Sequence, residues 1–113
     1  MASARAMIER RRSSRVSASI PVTVFHATHD PKPEARTQAT SISRCGALLC
    51  VPFSPALGSR IEIQHGISQE LREFRVVRVR AAKSEGQFEL GVEILHPGVN
   101  FWGVQFPDEH HRA

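Results

Sequence analysis

Arg10, Arg11, Arg12 and Arg15 crowd together just ahead of the first strand-like segment of this 113-residue chain. Arg11 and Arg15 are four residues apart. Residues at that spacing face the same way on a helix, and any even separation faces the same way on an extended chain. The two guanidinium groups can therefore converge on one ligand in either conformation. Planar forks with permanent charge suit phosphate oxygens, which they grip bidentately. A solvated basic arm is the plainer alternative, and the elements behind the cluster have to decide between the two.

Other chemistry is poorly served. Histidines occur at His26, His29, His65, His96, His110 and His111. The first two are expected on a proline-rich loop and the last two in the tail, without cysteine or carboxylate partners at ligand spacing, so no metal site is expected. Cys45 and Cys50 do not form a C-x-x-C pair. On one extended segment they would stand about 16 Å apart on opposite faces, too far for a disulfide, and two reduced thiols are expected. There is no glycine-rich phosphate loop and no G-x-S-x-G turn, so neither an enzyme nor a cofactor is expected.

The length fits one domain that buries roughly two-thirds of its unfolded surface. Hydrophobic residues make up 41% and charged residues 23%, ordinary values for a globular chain. No apolar run approaches the ~20 residues of a membrane helix, no secretory signal is legible at the N-terminus, and a cytoplasmic location is expected. A formal charge of +4 favours an anionic partner. Only Lys32 and Lys83 are lysines, so nearly all of the positive charge recognises phosphate by geometry as well as by attraction.

From Val16 the chain alternates, with Val16, Ala18, Ile20, Val22 and Val24 on one face, which predicts a half-buried strand; Pro21 marks an edge or a bulge. Residues 26–34 are polar and broken by Pro31 and Pro33, hence a loop. A weakly patterned strand is expected over residues 35–42, then a turn at Ser43-Arg44-Cys45-Gly46. Further strands are expected at 47–51, 60–64 and 71–82, the last with Val77, Val79 and Ala81 on one face and Val76, Arg78 and Arg80 on the other. After a hairpin turn at Ser84-Glu85-Gly86, Phe88, Leu90, Val92 and Ile94 complete the set. Arg72, Arg75, Arg78 and Arg80 could extend the basic surface, but a plain exposed face interleaved with Glu70 and Glu73 is the expected reading. Phe101, Trp102 and Phe106 carry too much apolar surface to leave wet and are expected to fold back and cap one end or face of the barrel, with a partner-binding surface as the rival reading. The pattern predicts an all-β chain, a six-stranded antiparallel barrel or sandwich, organised as a flexible basic arm over residues 1–15, a barrel over 16–95, and an aromatic segment with a disordered end over 96–113.

In that order of elements the chain resembles the PilZ domain family, six-stranded split barrels that bind the second messenger cyclic di-GMP. Three features carry the resemblance: Arg11-Arg12-Ser13-Ser14-Arg15 as an R-x-x-x-R motif before the first strand, Ser41-Ile42-Ser43-Arg44-Cys45-Gly46 in place of (D/N)-x-S-x-x-G after the second, and Leu90-Gly91-Val92 in the last. The resemblance implies a cyclic di-GMP site made by Arg10, Arg11, Arg15, Ser41, Ser43 and Gly46. Arg11 and Arg15 would hold phosphates and guanine acceptors. Ser43 would bond a guanine edge or a phosphate, or stabilise its own turn. Gly46 would let the backbone approach the ligand, or allow a positive φ. Arg10 leans towards binding of a stacked ligand pair.

The departure is Ser41, where the family has Asp or Asn. A lone hydroxyl makes a single neutral bond worth about 0.5–1.5 kcal/mol, in place of a two-point contact with a base. The resemblance implies a receptor that reorders its arm on binding and signals to a protein partner. A protein-interaction adaptor that ignores the nucleotide is the alternative, and a nucleic-acid-binding barrel ranks third because the strands offer no row of aromatics for stacking bases.

Overall fold

The structure, a computed structural model, describes residues 15–26, 33–96, 100–104 and 106. Arg10 to Arg12, His29, His110 and His111 lie outside the described residues. The strands are β1 (Val16–His26), β2 (Glu34–Ile42), β3 (Gly46–Val51), β4 (Arg60–His65), β5 (Leu71–Ala81) and β6 (Phe88–Ile94). All pairings are antiparallel, and the strands close into a barrel in the order β1-β2-β3-β6-β5-β4. The expected six-stranded barrel is therefore the fold.

The alternation in β1 sets its inward face. Val22, Val24 and His26 are buried, with Val16, Ala18 and Ile20 packed against the same core. The second half of the strand pairs with both β2 and β4, from Val22↔His65 to His26↔Ile61. The first half pairs with β2 alone, and one extra β1 residue is accommodated between Ser17 and Ile20. Pro21 lies between the two halves. Its carbonyl accepts from Gly66 N at 2.7 Å, so its nitrogen faces the same side, just where the β4 ladder has ended and no donor is needed. His26 belongs to β1 and not to the loop expected from the sequence, because the ladder with β4 carries the alternation one step past Phe25.

Two further irregularities explain where the sequence pattern was weak. In β2, Ala39 pairs with Leu49 and Ser41 with Leu48, so Thr40 is an extra residue and the inward phase passes from Ala35 and Ala39 to Ile42. In β5, Val76 pairs with Val92 and Arg78 with Gly91, leaving Val77 unmatched. The facing expected for this strand is corrected accordingly. Phe74 and Val76 are buried, Val79 packs against the core, and Val77 is 49% exposed. A bulge breaks strict alternation by one residue, and apolar identity alone does not reveal it.

The C-terminal aromatics fold onto the barrel as expected. Phe101, Trp102 and Phe106 are buried. Phe101 meets Trp102 edge-on at 4.8 Å between ring centres and Phe74 at 5.4 Å. Asn100 pins this segment: Gly103 N donates to its Oδ1 at 3.1 Å and its Nδ2 donates to Val104 O at 2.9 Å. His65 supports it from β4, packing on both Phe101 and Trp102 while its Nδ1 accepts from the amides of Ile67 and Ser68. Trp102→Ala is expected to lower stability by about 3–5 kcal/mol, measured by denaturant unfolding.

Candidate ligand-binding site

The turn between β2 and β3 is built around Ser43. Its Oγ accepts from Cys45 N at 3.2 Å and Gly46 N at 3.1 Å, and its own N donates to Gly46 O at 2.9 Å. A serine side chain at a turn satisfies backbone donors in this way. Both acceptor positions of the hydroxyl are thereby used, so towards a ligand Ser43 can act only as a donor. Cys45 O accepts from Ile94 N at 2.7 Å, which ties the turn to the end of β6.

Gly46 is buried, and the positive φ expected as one of its two roles is not what requires a glycine here. Its φ is not positive, and the space where a side chain would stand belongs to β6 and not to open solvent: a Cβ here would fall 2.0 Å from the carbonyl oxygen of Val92. Only glycine lets β3 start so close to its neighbour. Gly46→Ala is expected to lower the thermal midpoint markedly with or without any ligand, read by melting curves, because the obstacle is backbone and cannot swing aside.

The β1–β2 register delivers the arginine. Val16 pairs with Ile42 and Ser17 with Ser41, and continuing this register by one residue sets Arg15 across from Ser43. Val16 and Ile42 point inward, so Arg15, Ser17, Ser41 and Ser43 belong to the outer face. Arg15 is exposed, and among the described residues no carboxylate pairs with it. Ser41 is half-buried between Ser17 and Leu48. The structure thus brings together Arg15, Ser41, Ser43 and Gly46 out of the six residues expected at a site, while Arg10 and Arg11 precede the described part. A guanidinium fork, a donor-only hydroxyl and a second hydroxyl on one surface suit a phosphate or the acceptor edge of a base.

A family model, the PilZ domain, matches residues 9–110. The chain belongs to the PilZ domain family. Solved structures share its fold. The Bacillus subtilis inhibitor of motility MotI/DgrA is similar at a TM-score of 0.62 and 18% identity, over 80% of this chain and 44% of that one. YcgR from Escherichia coli in complex with c-di-GMP is similar at 0.56 and 18%, over 91% of this chain and 42% of that one. The PilZ domain of YcgR with c-di-GMP gives 0.55 and 17%, over 77% and 79%. The chain therefore spans less than half the length of the first two proteins. No curated protein matches it in sequence.

Elsewhere, Cys45 and Cys50 are free thiols. Among the described residues there is no group of three or more His, Cys, Asp or Glu side chains arranged for a metal, and no helix long and apolar enough to cross a membrane. Gly91 belongs to the Leu-Gly-Val stretch of the last strand. In the PilZ barrel it is buried on β6 between Leu48 of β3 and Arg78 of β5. A glycine inside a strand was the available signal of a close approach there.

Proposed function

We propose that this PilZ domain is a non-enzymatic, cytoplasmic receptor for cyclic di-GMP, which binds on the outer face where the start of β1 meets the turn between β2 and β3. Arg11 and Arg15 hold phosphate oxygens and guanine acceptors through their forks. Ser43 donates its one hydroxyl proton, Ser41 adds a single neutral bond, and Gly46 keeps the turn seated against β6. Arg10 adds a third cation. Residues 1–15 act as an arm that closes over the nucleotide and so changes the surface offered to a protein partner.

The observation that carries this reading is the juxtaposition of an exposed Arg15 with the Ser43–Gly46 turn. That juxtaposition joins the two sequence motifs, which are separated by the whole of β1 and β2. Family membership and the c-di-GMP complexes of YcgR support it. A second reading, a protein-interaction adaptor without nucleotide, is favoured by Ser41, whose short hydroxyl replaces a two-point base contact.

Calorimetric titration separates them. The wild-type chain is expected to bind cyclic di-GMP, with Arg11→Ala and Arg15→Ala each weakening affinity by about tenfold or more, the worth of a charge-assisted bond. No heat from the wild type at about 100 μM ligand would sink the receptor reading and leave the adaptor. Ser41→Asn is expected to tighten binding by up to about tenfold in the same measurement, since it restores a two-point contact.

A further inference from the structure

The arginines of β5 are not equivalent. Arg72 pairs with Glu70, Arg80 Nε pairs with Glu89 Oε1 at 2.6 Å, and Arg75 stands opposite Glu93 across the β5–β6 ladder. Arg78 stands opposite Gly91. Among the described residues no carboxylate pairs with it, and it is exposed.

The direction of its side chain is legible from Gly91. A Cβ on Gly91 would lie 3.1 Å from Arg78 Cβ and 3.7 Å from Arg78 Cδ. The stem of Arg78 therefore leans across β6, and the missing side chain of Gly91 is what leaves it room. On the other side, the same point lies 3.6 Å from Leu48 Cδ2. Leu48 pairs with Ser41, and Ser41 with Ser17. One cross-strand row thus runs over the outer face through Ser17, Ser41, Leu48, Gly91 and Arg78. At about 4.8 Å per strand, Arg78 starts about 14 Å from Ser41 and its stem is aimed along the row towards it.

We propose that Arg78 is a further ligand-binding residue, a guanidinium at the far end of the site that engages the part of the nucleotide lying beyond Ser41 along the Leu48–Gly91 row. The proposal rests on the receptor reading above. A single phosphate cannot bridge such a row, whereas a molecule with two bases joined by two phosphodiesters has a second base to lay along it. An arginine fork both stacks on a planar base and bonds its acceptor edge. Leu48, half-buried and apolar, supplies the floor beneath that base. The bulge at Val77 contributes as well, because the shift of one residue is what sets Arg78, and not Val77, opposite Gly91.

The test is calorimetric titration of cyclic di-GMP into the wild-type chain, Arg78→Gln and Arg80→Gln. Both arginines are exposed, so neither variant loses the fold, and matching melting curves check that. Arg78→Gln is expected to weaken binding by about tenfold or more, while Arg80→Gln, which removes the same charge from a side chain already engaged by Glu89, changes it by less than about twofold. Wild-type binding with Arg78→Gln unchanged overturns the inference and leaves the receptor reading standing. Equal losses in both variants also overturn it, since they report bulk charge. An absence of wild-type binding overturns the receptor reading and this inference with it.

Discussion

Five backbone pairs between Val22–His26 and His65–Ile61 close the barrel, and they involve only the second half of β1. Closure removes the exposed sheet edges that an open sheet of this size would present. It also divides β1 into two functional parts. The half that pairs on both sides buries Val22 and Val24 in the core, while the half that pairs only with β2 packs Val16, Ala18 and Ile20 against it and follows directly from Arg15. Pro21 marks the division, since its lack of an N–H is harmless only where the β4 ladder has stopped. The same strand therefore seals the barrel and sets Arg15 beside the neighbouring turn.

That turn is rigid for reasons that do not involve any ligand. Ser43 satisfies two amides, Cys45 is bonded to Ile94, and Gly46 is in contact with β6 where no side chain would fit. A hydroxyl whose lone pairs are already committed keeps one defined donor, which is a more selective feature than a freely rotating serine. The motif thus holds the fold in its own right, through Ser43 and Gly46. The family's fold is shared with proteins under 20% identical to this chain. Such a fold rests on a few backbone requirements of this type, together with an apolar core that tolerates many side chains of similar volume.

The strands with steady alternation were legible from residue types, as in β1, β4 and β6, where inward Val, Ile and Leu recur at every second position. β2 and β5 were harder. Each holds an extra residue, Thr40 or Val77, that shifts the inward phase, and the apolar Val77 gave no hint that it faces solvent. His26 opens a polar stretch broken by Pro31 and Pro33, which predicts a loop, yet strand pairing with β4 holds it in the ladder. The aromatic segment was easier, because three large rings so close together have few stable places except against the core.

By itself the sequence determined the all-β class, the number of strands, the inward side of the regular ones, and the two short motifs whose residue types suit phosphate and base edges. Those follow from local periodicity and from the chemistry of single side chains. Only the tertiary structure decided which residues of different strands meet. Register set Arg15 across from Ser43, bulges set Arg78 across from Gly91, and ring closure made one outer face of strands that are far apart along the chain. Cross-strand register depends on hydrogen-bond pairing and on single-residue bulges, and neither leaves a periodic mark on the residues involved.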